Sequence, residues 1–502
     1  MTLSHAFSPV AGVRLGWMIV LAAVAGSTVR GGPVDPARYL FLNPALLTRM
    51  EGAELATNPA SRRETVILPD QPWEKHIISF FLTVREEQGK LRMWYVCRDA
   101  WGAGSEANLA YAESIDGLTW TKPNLGLYAY KGSRDNNLVG LHSLEGVVFQ
   151  DPNLPPEQRY VYVTPGKASA ADGGASGIYR YTSPDGLRWT RDPKPVIQAG
   201  SDTQNIVWWD ERRKEYVVIV RGWDSNPRRR KVNRLSLPTL TETSPLKPIR
   251  PAVGNYFSNE IPTILICDDQ DPARTDIYNL SAQPYVIDPS WYVGFPTFLR
   301  RSVQTDAPGW KGRHMGPAEV QFVGSDDSVA WHRYDRAAYA APSVAAPDKK
   351  NMTFMGAGMV VRGNELWQYG TEFESVHGDV AARERKTDGV IVRYVQRIDG
   401  FVSLNTGNRE GVARTAPVKV TGTRLLLNLN TGALGELRVA LLDREGSPLP
   451  GFGAADCDYL ENNSLGAVVS WAGKTDLSAL EGREVQLEFR STRTQLYSFR
   501  FE

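Results

Sequence analysis

Hydrophobic positions in this chain come in short runs and seldom form long stripes at helical spacing. Representative runs are "HIISFFLTV" (76–84), "KLRMWYVC" (90–97) and "NIVWWDERRKEYVVIV" (205–220), the last broken by a charged turn. Runs of this length, rich in β-branched and aromatic residues, predict strands joined by turns. One polar string punctuates them. "YAESIDGLTW" (111–120) returns as "YRYTSPDGLRW" (179–189), with weaker relatives in "SDDSVAW" (325–331) and "RIDGFVSL" (397–404). Its aspartates, Asp116, Asp185, Asp327 and Asp399, are 69, 142 and 72 residues apart. The middle interval is twice 71, so a degenerate copy is expected within 235–260, making five units. About four short strands per unit is the build of a propeller blade. Within such a unit Asp-Gly supplies a positive-φ turn, Ser bonds to the turn backbone, and the Trp beyond fills the gap between neighbouring blades.

Five units fill residues 40–403. The texture then changes: "RLLLNLN" (424–430), "GELRVALLDREGSPLPGF" (435–452), "GAVVSWAG" (466–473), "EVQLEFR" (484–490) and "QLYSFRF" (495–501) are short runs bounded by turns. That spacing predicts a β-sandwich over 418–502, with 404–417 as linker. The expected fold is therefore all-β, a five-bladed β-propeller followed by a C-terminal β-sandwich.

Composition narrows the function more than the fold. With 502 residues and 42% apolar content the chain can bury a large core. Lys plus Arg number 57 against 56 for Asp plus Glu, so no net field draws it to nucleic acid or an anionic membrane. Cys97, Cys267 and Cys457 are odd in number, far apart and without a C-x-x-C pair, which indicates neither a disulfide framework nor a zinc site. Each is expected to be a buried small hydrophobe. Arg14 precedes the apolar run "LGWMIVLAAVA" (15–25), which ends in a small-x-small site and is much shorter than the about 20 residues a membrane span needs. Residues 1–25 thus read as a signal peptide, and the mature protein as secreted or periplasmic, with no membrane contact after cleavage.

The strings "LAYAESIDGLTWTKPNLGLYAYKGSRDNNLV" (109–139), "SDTQNIVWWDERRKEYVVIVRGW" (201–223), "DDQDPARTDIYNLSAQPY" (268–285), "RIDGFVSLNTG" (397–407) and "LDREGSPLPGF" (442–452) resemble a bacterial group of invertase-like glycosyl hydrolases. These belong to the five-bladed superfamily of invertases, levanases and arabinanases. The resemblance, running from about Trp73 to the end, implies a glycosidase acting on an oligo- or polysaccharide without a redox cofactor. Two of the three invertase motifs, Asn-Asp-Pro-Asn-Gly and Glu-Cys, are absent. Arg191-Asp192-Pro193 matches the third by letters but trails Trp189 on what should be an outer strand.

Glycoside hydrolysis needs two carboxyl groups on opposite sides of the scissile bond. In a propeller they converge from the innermost strand of each blade. The expected starts of those strands are "PWEKHIISF" (72–80), "LEGVVFQDP" (144–152), "SDTQNIVWW" (201–209), "TDIYNLSAQPY" (275–285) and "NMTFMGAGMV" (351–360). They carry Glu74 and His76, Glu145, Asp202 and Gln204, Asp276 and Tyr278, and Asn351 to one end. Asp202 and Asp276 lead as catalytic candidates, each with the competing reading of a residue that caps its strand or bonds a neighbouring blade; Glu74, which has a rim contact with Lys75 as its alternative, Glu319 and Glu372 are further acids or bases. Trp73 is placed to stack on a sugar face, with His76, Gln204, Arg221 and Tyr278 as substrate contacts. A planar Arg221 fork suits a carboxylate or a sugar hydroxyl. The basic run 226–234 reads as a solvated loop, or as a reader of sulfated or uronic sugars. "CDDQDPARTD" (267–276) has the oxygen density for calcium but not the EF-hand spacing, and no metal is assigned. The alternative to an enzyme is a carbohydrate-binding propeller that has lost its catalytic motifs.

Overall fold

The structure, a computed structural model, describes residues 38–101, 105–142, 144–166, 177–198, 201–225, 228–246, 261–301, 315–343, 349–379 and 387–502. The expected signal peptide lies outside them. The described part is all-β: strands dominate, and helices are single turns such as Pro72–Glu74. No helix among the described residues is long and apolar enough to cross a membrane.

Five groups of antiparallel strands follow one another along the chain. The first contains Ile77–Glu87, Lys90–Arg98 and Ala107–Ser114, with Leu138 bridging to Ala110 at the outer edge. The second is Val148–Gln150, Tyr160–Gly166, Gly177–Ser183 and Thr190–Ile197, and the third Ile206–Asp210, Glu215–Ser225, Arg228–Leu237 and Thr263–Leu265. Thr275–Pro284, Tyr292–Arg300, Ala318–Gln321 with Val323–Ser325, and Ala338–Ala340 make the fourth. The fifth runs Met352–Met355, Glu365–Phe373 and Val390–Arg397, and its last strand, Ser61–Ile67, comes from the N-terminal side of the chain. The leading strand of each group touches the next in a closed cycle. Val148 N–H donates to Thr83 Oγ1 (3.1 Å), Asn205 N–H to the Glu145 carbonyl (2.7 Å) and Thr203 Oγ1 to the Tyr278 carbonyl (3.4 Å). Ser281 Oγ then donates to the Gly356 carbonyl (2.9 Å), and Val84 N–H to the Ala357 carbonyl (2.8 Å).

The recurring polar string closes the turn after the third strand. Ser114, Ser183 and Ser325 each end that strand. In each copy the Ser hydroxyl receives an amide from the residue three ahead, while Asp116, Asp185 or Asp327 receives two successive amides at 2.7 to 2.9 Å. Those amides hold the Asp116 carboxyl down at about 2. The turn then docks on the preceding group. Tyr369 Oη donates to the Gly117 carbonyl, Trp94 Nε1 to that of Gly186, and Arg213 Nη1 to that of Asp327. Gly117 sits at φ +76°, and a Cβ there would lie 2.7 Å from Tyr369 Oη, so both backbone conformation and space demand glycine. Trp120 meets Tyr369 edge-on at 5.4 Å, filling the gap between the first and fifth groups.

Asp399 departs from this pattern. It too follows a third strand, but the fourth strand of its group is supplied by Ser61–Ile67, so the chain leaves instead of turning back. Its buried carboxylate accepts from Arg38 Nη1 (2.7 Å), Tyr285 Oη (2.9 Å) and Ser498 Oγ (2.6 Å), three distant parts of the chain. Of the copy expected in 235–260, residues 247–260 lie outside the described residues; at 239–241 only a Thr turn is seen, with Thr241 N–H on Thr239 Oγ1.

The C-terminal part consists of two sheets. One contains Val402–Thr406, Gln495–Phe501, Leu425–Asn430 and Asn463–Val468, the other Gly411–Thr415, Glu484–Thr492, Val418–Lys419 and Glu436–Leu442. The stretch 404–417, expected as a linker, is thus largely strand. Its polar and glycine residues mark the turn at 407–410 and disguise the pairing on either side. Both sheets also recruit N-terminal strands: Arg38–Leu40 pairs with Gln495–Phe501, Ala53–Thr57 with Val402–Thr406, and Leu47–Glu51 with Gly411–Thr415. Leu427, Val439, Leu487 and Phe499 share one core with Phe295, Val320 and Val392 of the strand groups, and within it Phe322 and Phe401 stack at 4.9 Å. The three cysteines are free and buried, as expected.

Candidate active site

The starts of the leading strands gather a charged cluster around Tyr278. Asp202 stands ahead of Ile206–Asp210, its carboxylate 46% exposed, and takes Arg221 Nη1 at 2.5 Å. Arg221 is itself only 1% exposed in its side chain, and its Nε and Nη2 donate to the Tyr278 carbonyl at 3.2 and 2.5 Å. One guanidinium therefore joins the third group to the fourth and fixes the carboxylate that faces outward. Asp276, two residues before Tyr278, is wholly buried and held by Arg230 Nη1 at 2.8 Å, with Arg301 Nη2 at 3.5 Å. Arg221 lies 4.5 Å and Arg230 5.1 Å from the centre of the Tyr278 ring, and His377 meets the same ring at 5.0 Å. Gln204 is buried beside this cluster, accepting from Asn279 Nδ2 at 3.3 Å.

Glu145 belongs to the same end of the ring, because its carbonyl takes the Asn205 amide. Burial raises its carboxyl above the usual range, and the negative charge of Asp202 pushes the same way, against the Leu144 amide and Arg98. A carboxyl biased to keep its proton beside one committed to an ion pair is the arrangement that acid–base chemistry on a glycosidic bond needs. Glu145 stood at an inner-strand start in the sequence but carried no role there. Its signal was the neighbouring Gly146-Val147-Val148, the small and apolar opening of a buried strand.

The other candidates fall elsewhere. Glu74 is buried inside the first group, receiving Tyr95 Oη (2.6 Å), Lys122 Nζ (2.7 Å) and the Gln71 amide (3.0 Å). Trp73 is no sugar platform: it packs in the first group's core, edge-on to Tyr130, with Nε1 on Asn137 Oδ1. Both belong to a short helical turn, which rotates them off the alternation assumed for a strand. Glu372 is fully buried under a bidentate Arg62 and Tyr394 Oη, and holds the closing strand Ser61–Ile67 onto the fifth group. Glu319 is paired with Arg300 on the second and third strands of the fourth group. His76 is buried 5.8 Å from the ring of Trp101, at the start of the first leading strand. Asn351 gives its amide to the Phe373 carbonyl.

Two charged stretches also read differently in three dimensions. Residues Arg228–Leu237 form a strand, not a solvated loop, and Arg230, Lys231 and Arg234 are buried. A run of basic residues hides strand alternation, because both faces look polar. In 267–276, Asp268 takes Arg336 through both oxygens and Asp271 takes Arg333, so these carboxylates are committed to guanidinium groups. No group of three or more His, Cys, Asp or Glu suited to a metal occurs among the described residues. Asp192 accepts from Arg180 at 2.6 Å on Thr190–Ile197, the outer strand of its sheet.

No family model matches the chain, and no curated protein matches it in sequence. Solved structures similar to it include a glycoside hydrolase at 13% identity, covering 68% of this chain and 92% of that one, with a TM-score of 0.43. A family 43 arabinoxylan arabinofuranohydrolase from Bacillus subtilis, in complex with cellotetraose, is similar at 10% identity over 85% of this chain and 96% of its own, with a TM-score of 0.36. An N-acetylgalactosamine deacetylase from F. plautii, in complex with blood group B trisaccharide, shares 12% identity over 70% and 97%, with a TM-score of 0.42.

Proposed function

We propose that this chain is an exported carbohydrate-active hydrolase, that its five strand groups are the blades of a propeller capped by a C-terminal sandwich, and that it cleaves a glycosidic bond at the mouth around Tyr278. The observation that carries this reading is the pairing of unlike carboxyls, Glu145 held towards its protonated form and Asp202 held in an ion pair at the same mouth. Glu145 gives its proton to the leaving oxygen as the bond from the anomeric carbon to that oxygen breaks. Asp202 draws the proton from the attacking water, which inverts the anomeric carbon, or bonds to that carbon first and is released by water, which retains its configuration; both courses cleave the same bond. Asp276 acts at one remove, by fixing Arg230. Its charge is already matched by that arginine, which favours, as a second reading, a propeller that binds glycans without cleaving them.

Product analysis over a broad panel of oligosaccharides separates the two. Hydrolysis by the native protein, lost in both Glu145→Gln and Asp202→Asn while binding persists, is the expected result. Full turnover in both variants overturns the site, and glycan binding without release of any sugar by the native protein establishes the second reading.

A further inference from the structure

We infer that the mouth around Tyr278 selects a sugar carrying an anionic group, a carboxylate or a sulfate ester, and that Arg230 receives it. This rests on the proposed carbohydrate function and names its substrate class. Three guanidinium groups, Arg221, Arg230 and Arg301, stand against two carboxylates, Asp202 and Asp276. Arg221 is fully engaged by Asp202 and the Tyr278 carbonyl. Arg230 is not. Among the described residues its side chain makes one hydrogen bond, from Nη1 to Asp276; Nε is buried with no partner, and Nη2 has no protein acceptor.

Nε and Nη2 form the side fork of a guanidinium, the edge that matches two oxygens of a carboxylate or sulfate. A charged donor left dry and unpaired is costly, so the free fork calls for an acceptor from outside the chain. The fork is also held still. Arg230 pairs in register with Trp223, and its guanidinium lies 4.7 Å from the Trp223 ring and 5.1 Å from that of Tyr278. With the side chain only 7% exposed, little motion is lost when a ligand arrives. Arg221 and Trp223, two apart on Glu215–Ser225, share this face with Arg230 across the pair, so the site is made by strand alternation.

The test compares ligands before it alters the protein, because removing Arg230 leaves Asp276 buried without its counter-charge. Binding of oligogalacturonides, of their carboxyl-reduced counterparts and of a sulfated neutral oligosaccharide is measured by calorimetry on the intact protein. An acidic ligand bound at least tenfold more tightly than its reduced form, with the advantage shrinking as salt rises, is the expected result; preference for uronide or for sulfate identifies the group. In Arg230→Lys, which keeps the charge and loses the fork, the advantage should fall to a few-fold. Equal affinity for charged and reduced ligands overturns the inference and leaves the glycosidase reading standing. Binding to none of the panel also overturns the inference, and the glycosidase reading is then decided by the broad product panel alone.

Discussion

The carboxylates of the recurring turn and those of the mouth are the same chemical group put to opposite ends. Asp116, Asp185 and Asp327 spend an oxygen on backbone amides one turn away, and the rest of the turn docks on the neighbouring strand group. Asp202 is held by Arg221 with its side chain still 46% exposed, and the Glu145 carboxylate takes the Leu144 amide at 3.3 Å. A carboxylate closed by the amides of its own turn stabilises a shape; one held by a distant side chain, or raised by burial, is left for a proton or a substrate. Proximity to glycine or to a strand start does not tell these fates apart, but the origin of the donors, in the same turn or across the fold, does.

The sharpest way to break this contrast is to neutralise both kinds. Glu145→Gln is expected to slow hydrolysis by about 10²–10⁴-fold, the usual worth of a positioned general acid, with the melting temperature nearly unchanged. Asp185→Asn, measured in the same assay, should leave turnover at the native level. Next in size is the buried ion pair that resembles a catalytic acid on paper: Arg62→Ala leaves Glu372 uncompensated and should cost about 3–5 kcal/mol in urea unfolding, with turnover per folded molecule preserved.

A titration sharpens the same comparison. Because burial and the Asp202 charge raise the Glu145 carboxyl, activity that needs its proton is lost as pH rises through that raised value. In Asp202→Asn the Glu145 carboxyl should move down towards the ordinary range, a displacement read by carbon-detected NMR. Asp116 runs in the other direction. Its folded value, about 2, lies below that of the unfolded chain, so its stabilisation is complete above about pH 4 and lost as pH falls through about 2. Asp116→Asn should remove this part of the acid dependence. The smallest effect is expected from Asp185→Ala, about 1 kcal/mol for the lost amide bonds of one turn.

How much was legible in the sequence follows from the range of the forces involved. The turn motif is local, so its spacing marked the turns at Asp116, Asp185 and Asp327 and pointed to the strand starts that carry Asp202, Gln204, Asp276 and Tyr278. Glu74 and Trp73 were misplaced because a single helical turn at Pro72–Glu74 breaks the alternation that precedes a strand. Glu372 was misread because its partner Arg62 is 310 residues away, on a strand with no local mark of where it pairs. The basic strand Arg228–Leu237 was hidden by polar residues on both faces. Asp399 kept the motif's letters while its turn was lost, since the fourth strand beside it comes from elsewhere in the chain.

That borrowed strand governs the order in which the protein can be finished. During synthesis Ser61–Ile67 emerges early, yet its partner Val390–Arg397 follows more than 300 residues later, and Arg38 waits 361 residues for Asp399. The fifth group therefore cannot be closed until residues 390–397 have been made, and Arg38–Leu40, Leu47–Glu51 and Ala53–Thr57 present unpaired strand edges until the residues after 401 arrive. Residues 38–57 and the strands after residue 403 are thereby made mutually dependent: a product cut short at residue 403 leaves Arg38–Leu40 and Leu47–Glu51 without the strands they pair with, as open edges for aggregation.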